Sequence, residues 1–337
     1  MTLPAIHISS VVLALDLCGT FVFALSGTMA GVKDRRRMEI NMDLKRIVIG
    51  VDFSPASFDA ARWAAQHFGH AVELILAHAI IIPKPSPIAR SRDGKRDLMV
   101  ETLVEGATKR LRDLETSMSA ELIRFDVREG DAARSLSDVV TECKADLLIV
   151  GARGERAELD RTLGTTAQHA VRESAVPVLV VVRPDERPIS HILVAVEDDA
   201  TARESMRWAA LLSDRFNARV TTLHITTAGV MSQAPAGAGL PPNSPQLNAK
   251  PGSNDGDRMD RWIELARMSG IEDERVMSEE ALGVPAAEIV KASERNATGI
   301  IVMGRRAARN LRRAVLGSVT ATVLSNPPCS VLVIPAI

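Results

Sequence analysis

The stretch IVGARGERAELDRTLGTT places Gly151, Gly154 and Gly164, followed by Thr165 and Thr166, directly after an apolar run. Glycine has no Cβ, so it permits left-handed backbone and lets another group approach the main chain. Clustered after a strand, it serves either a turn or a cradle for an anion. A second stretch, VMGRRAARNLRRAVLGSV, repeats the spacing with Gly304, Gly317 and Ser318 but carries Ala307 where the first has Gly154. Asp52 closes another apolar run, IVIGVD, and its carboxylate can accept hydrogen bonds from a ligand or simply cap a turn. Glu197, next to Asp198 and Asp199, stands at the matching place in the second copy.

Other reactive patterns are missing. The chain has no P-loop signature, no Gly-x-Ser-x-Gly elbow and no His-Glu-x-x-His, and its seven histidines do not cluster. His78 and His224 fall at matching ends of two apolar runs, where a hydrogen-bonded structural role is the simpler reading. Arg305, Arg306, Arg309, Arg312 and Arg313 make one loop strongly basic, suited to phosphate, to an acidic partner, or to solvent alone.

The elements that must position these residues follow from an internal repeat. KRIVIGVDFSPASFDAARWAAQHF, from Lys45, is echoed by SHILVAVEDDATARESMRWAALLS, from Ser190. Each copy reads as a buried Val/Ile strand, a polar turn and a helix, with Ser54 as N-cap and Pro55 in the first helical position. Second strands follow at VELILAHAI and RVTTLHIT, then helices, third strands at AELIRFDVREG and DERVMSEEALG, and further helices. Fourth strands are DLLIVGARG and GIIVMGRRA, and fifth strands VPVLVVV and SVLVIPA. A Pro, Gly, Ser and Asn-rich segment at 227–257 interrupts the second copy and reads as a long loop. Alternating helices and continuous apolar strands predict two α/β domains, each a doubly wound parallel sheet, at 44–184 and 185–337.

Composition narrows the partners. At 337 residues with 46% hydrophobic content, the chain can bury two cores. A net charge of -1, an aromatic content of 3% and the absence of Tyr argue against nucleic acid as a partner. The three cysteines are far apart and suggest neither a disulfide framework nor a metal site.

Residues 1–43 differ. VVLALDLCGTFVFALSGTMAGV, residues 11–32, carries the single charge Asp16 and as a helix would span about 33 Å, close to a bilayer core. The cluster KDRRR follows it, so a membrane helix here would leave its carboxyl side in the cytoplasm. A misplaced start, with Met38 or Met42 as the true beginning, is the competing reading.

The repeat and the glycine spacing together resemble a tandem universal stress protein over residues 44–337. The resemblance implies Rossmann-like five-stranded sheets of order 3-2-1-4-5 and ATP, with or without Mg, as ligand. It implies binding by Asp52, Gly151, Gly154, Gly164, Thr165 and Thr166, with Gly304, Gly317 and Ser318 as the second, degraded set. It further implies a cytoplasmic stress-response regulator with an unidentified regulatory partner, more a binder than an enzyme. Its fifth strands would join the two domains as a pseudo-dimer, and two chains could form a homodimer. A slow ATP-hydrolysing or phosphotransfer enzyme and a nucleotide-free scaffold tethered to a membrane are the alternatives. Residues 11–37 separately resemble the first helix of bacterial proteins related to trimeric intracellular cation channels.

Overall fold

The computed structural model describes residues 7–8, 11–15, 21–25, 43–70, 72–82, 93–153, 163–182, 188–197, 201–227, 255–305 and 316–336. The chain divides into two compact units, 1–41 and 42–337. In the first, β1 (His7–Ile8), β2 (Val11–Leu15) and β3 (Phe21–Leu25) form an antiparallel sheet in which Val11 pairs with Leu25 and Leu15 with Phe21. The helix expected over 11–32 therefore does not form in these segments. Their Val and Phe content favours extended backbone, and that preference prevails over the helical reading of the same apolar run. Among the described residues, no helix is long and apolar enough to cross a membrane.

The second unit is one ten-stranded sheet. In chain order its first half comprises β4 (Arg46–Gly50), α1 (Pro55–Phe68), β5 (Glu73–Ile80), α2 (Asp93–Glu115), β6 (Ile123–Glu129), α3 (Ala132–Glu142), β7 (Leu147–Gly151), α4 (Thr165–Glu173) and β8 (Val178–Val181). The second half comprises β9 (His191–Val196), α5 (Thr201–Phe216), β10 (Arg219–Thr226), α6 (Asp255–Met268), β11 (Val276–Leu282), α7 (Pro285–Arg295), β12 (Ile300–Gly304), α8 (Ser318–Ser325) and β13 (Ser330–Ile334). The strand order is β11-β10-β9-β12-β13-β8-β7-β4-β5-β6, so each half has the predicted 3-2-1-4-5 order. The two fifth strands pair antiparallel, with Leu179 opposite Leu332, and join the halves as expected.

Both faces of the sheet are covered, which explains the uninterrupted apolar strands. Ile47 and Ile49 point into a core shared with α1, α2, α5 and α6, while Val48 between them points into the opposite core with α3, α4, α7 and α8. Beneath the first layer the halves also lock through side chains. The ring of Phe216, at the end of α5, lies 6.1 Å from that of Trp63 and 5.1 Å from that of His67, both on α1. Arg215 donates from Nε to the His67 carbonyl.

Because β8 and β13 run antiparallel, the carboxyl ends of the two parallel sheets emerge on opposite edges of the continuous sheet. Any sites at the winding reversal are therefore two separate crevices, one per domain, rather than one shared cleft.

Candidate functional site

In the first domain, β4 and β7 are neighbours, with Ile49 beside Ile149 and Gly50 beside Val150. Helices leave these two strands on opposite faces, and the crevice beyond their ends is where an open parallel sheet takes a ligand. A cavity of about 680 Å³ lies there, lined by Asp52, Gly151, Gly164, Thr165 and Thr166, with Phe53, His78 and Arg110 on the side towards β5 and α2. The structure thus brings together the first-domain residues singled out from the sequence, apart from Gly154, which lies outside the described residues.

Each of these positions has a local cause. Ser54 caps α1, its hydroxyl accepting from the Ser57 amide at 3.2 Å, and Pro55 opens the helix. Asp52 Oδ1 in turn accepts from the Ser54 amide at 3.0 Å and the Ser54 hydroxyl at 2.5 Å, which fixes the carboxylate at the crevice. Both bonds go to one oxygen, so Oδ2 keeps its acceptor capacity at an exposed position. Phe53 makes the turn between them with φ of 64°, a conformation uncommon outside glycine.

At the other end, α4 begins at Gly164, whose φ of -61° and ψ of 150° are those of an ordinary N-cap, and no side chain caps the helix. The first-turn amides of a helix have no intrahelical partner and carry the positive end of its dipole. Gly164 itself is tied back by its amide to the Ala152 carbonyl at 2.9 Å. Here the glycine pair divides its labour. A Cβ on Gly151 would sit 2.8 Å from the Ala56 carbonyl oxygen and 3.0 Å from the Ser57 amide nitrogen. Gly151 is therefore needed for the close packing of β7 against the start of α1, a reason that neither the turn nor the cradle reading anticipated.

Three further residues complete the wall. His78 bonds the Val51 carbonyl through Nδ1 at 2.6 Å, the satisfied role expected for it. Burial lowers its pKa below the usual histidine value, with the nearby Arg110 charge acting in the same direction and the Val51 bond and Asp52 opposing. The Phe53 ring lies between the His78 ring, 4.3 Å away, and the Arg110 guanidinium, 3.9 Å away. Sequence reasoning missed Phe53 and Arg110. Phe53 is adjacent to Asp52 and was open to notice, whereas Arg110 is one charge among many on a long helix and reaches the site only through the packing of α2.

The family profile described as the universal stress protein family matches residues 43–182 and 188–335. The chain belongs to the universal stress protein family. A universal stress protein of Mycobacterium tuberculosis is 25% identical over 292 residues, covering 82% of this chain and 92% of that protein. One from Methanocaldococcus jannaschii is 30% identical over 147 residues, covering 42% of this chain and 83% of its own. The crystal structure of a universal stress protein from Archaeoglobus fulgidus superposes with a TM-score of 0.62 at 20% identity, over 86% of this chain and 98% of that one.

Within this tandem member of the family the second crevice differs. Gly304, Gly317 and Ser318 line it together with Glu197, but its volume is about 70 Å³. Ligand pockets commonly span roughly 300–1,000 Å³, so only the first crevice has that scale. Substitutions account for the contraction: Ala195 stands where Gly50 does, Thr201 where Ala56 does and Val319 where Thr166 does, and all three line the smaller cavity. Among the described residues the wall supplied by α2 also has no counterpart, since α2 has 23 residues and α6 has 14. The basic loop is corrected at one position as well. Arg305 is not in solvent but 7% exposed, buried between the domains. Its neighbours 306–315, including Ala307, lie outside the described residues.

Proposed function

We propose that the first domain binds ATP, with the chain serving as a stress-linked regulator whose output passes to a protein partner. The observation that supports this reading is the coincidence, within one cavity of about 680 Å³, of a fixed carboxylate at one end and an uncapped helix start at the other. The amides of Thr165 and Thr166 and the Thr165 hydroxyl take the phosphates, favoured by the helix dipole. Asp52 accepts from ribose hydroxyls or the base. Arg153, which also lines the cavity, adds positive charge near the phosphates. The second domain, with its contracted crevice, binds no nucleotide, so the stoichiometry is one per chain.

The test is identification by mass spectrometry of small molecules released from purified protein, followed by equilibrium binding to wild type, Asp52→Ala and Thr165→Val. Wild type should carry or bind one adenine nucleotide per chain. Each variant should weaken binding about tenfold, the worth of one charge-assisted or well-placed polar contact. Two nucleotides per chain, or none in wild type even on addition, would overturn the reading. Conversion of bound ATP to ADP at a rate abolished by Thr165→Ala would replace the binding role with the enzymatic one.

A further inference from the structure

Arg305 follows Gly304 at the end of β12, and its backbone amide donates to the Ile334 carbonyl at 2.7 Å, so its main chain is part of the second domain's sheet edge. Its side chain crosses to the first domain. From Nη1 it donates to the carbonyls of Val171, Arg172 and Ser174, at 3.0, 2.6 and 3.1 Å. Those carbonyls end α4, the nine-residue helix whose opposite end lines the first-domain cavity. A cation at a helix C-terminus supplies donors to carbonyls that have none and matches the negative end of the dipole.

The arrangement is costly and one-sided. Arg305 is desolvated, which lowers its pKa from the usual guanidinium value, and its Nε is buried with no hydrogen-bond partner. A charge retained in such a place, when an apolar side chain would pack more cheaply, is a candidate for a task beyond stability. At the equivalent position after β7 the first domain has Ala152, buried and without any side-chain donor, so this position does not reach back to the end of α8 in the same way. Gly304, the residue before Arg305, lines the contracted second crevice.

We infer that Arg305 is a positioning residue for the first-domain site, through which the second domain holds α4 and so sets the affinity of its N-terminal amides for an anion. The second domain is then the control half of the molecule, and its crevice acts on the ligand of the first domain rather than taking a nucleotide of its own. This rests on the reading of the first cavity as an anion site, but the clamp itself is separable from it.

The experiment compares wild type, Arg305→Met and Arg305→Lys by hydrogen exchange without ligand and by ATP titration. The methionine variant keeps most of the buried stem and removes the donors; lysine restores a charged donor. Losing a charged donor shared among three carbonyls should raise exchange of amides 168–174 about tenfold. The strands of the second domain should keep their wild-type protection. ATP affinity should fall about tenfold in Arg305→Met and recover most of the way in Arg305→Lys. Unchanged exchange in α4, or a uniform rise across both domains, would overturn the clamp. Local loosening of α4 with ATP affinity untouched would overturn its link to the site. If wild type binds no ATP, the nucleotide reading fails while the exchange data still decide the clamp, and titration with inorganic pyrophosphate then decides the link by the same criteria.

Discussion

Gly151→Ala is the sharpest probe of how the site is built. The added methyl carbon would lie 2.8 Å from the Ala56 carbonyl oxygen, 0.6 Å inside the 3.4 Å at which ordinary contact begins, and 2.9 and 3.0 Å from two further backbone atoms. No rotamer relieves this, because every obstructing atom is main chain at the start of α1. Overpacking of this kind costs about 1–3 kcal/mol, and a rigid backbone obstacle places it in the upper part of that range. Gly151 is not among the positive-φ glycines, so alanine regains about 0.4–1 kcal/mol by restricting the unfolded chain. The net expectation is a loss of about 1.5–2 kcal/mol, read from the urea midpoint at constant m-value. The second domain supplies the control. A Cβ on Gly304 would meet the Thr201 Oγ1, a side-chain atom, and with that atom gone its nearest neighbour would be the Thr201 Cβ at 3.2 Å. Gly304→Ala should therefore be largely rescued by Thr201→Ala, with a coupling of about 1 kcal/mol or more in a double-mutant cycle, whereas Gly151→Ala with Ala56→Gly should be additive within about 0.5 kcal/mol. Wild-type stability for Gly151→Ala, or rescue by Ala56→Gly, would refute the packing argument.

Stability should also fall in mild acid. Burial, the first cause in each case, lowers the pKa of His67, His78 and His191 below the ordinary 6.5, so the unfolded chain takes up protons first. The contribution is present above pH 6.5 and is lost as pH falls through that value towards the folded pKa. The urea midpoint should drop between pH 7.5 and 5.5, and less so in His191→Gln, which removes the ring held between Thr221 and Thr298. Ser54→Ala should cost about 1 kcal/mol by uncapping α1, measured by the same unfolding curve, and should weaken ligand binding by releasing Asp52. Burial pushes the Cys329 thiol up to about 12, so in a Cys18→Ser background a thiol reagent at pH 8 should modify Cys143 readily and Cys329 only on unfolding.

What could be read in advance was governed by periodicity and by local chemistry. The strands of both domains are continuous Val/Ile/Leu runs because both faces are covered, and that pattern belongs to the parallel sheet itself, so the strands and the repeat were legible, while their order came from the family resemblance. Ser54 and Pro55 were legible for the same reason, since a cap needs only its own helix. The segment 11–32 was not, because an apolar run of Val and Phe satisfies both a helix and a strand, and pairing between β2 and β3 decides the matter at a distance. Gly151 lines the cavity, but its packing role was not legible, because its neighbour in space, Ala56, is remote in sequence. Arg305 was hidden for the opposite cause. Among so many arginines its composition argues for solvent, and only the juxtaposition of β12 with the end of α4 shows that it is spent on three carbonyls of the other domain.

The two halves share a topology and differ in the volume they leave beyond it, which narrows how the duplication can work. Opening the second crevice to the size of the first would require at least a smaller residue than Thr201, since Thr201 lines that crevice and its Oγ1 fills the space a Cβ on Gly304 would take. It would also require a wall like the one that α2 gives the first domain, which the described residues of the second domain do not supply. Neither change disturbs the β8 to β13 pairing or the Phe216 cluster, so the fold imposes no need for the crevice to be small. A contracted crevice next to a buried, one-directional arginine is instead the arrangement expected when one copy retains the ligand and the other constrains it, because the Arg305 side chain is committed to three carbonyls of the first domain rather than to its own crevice.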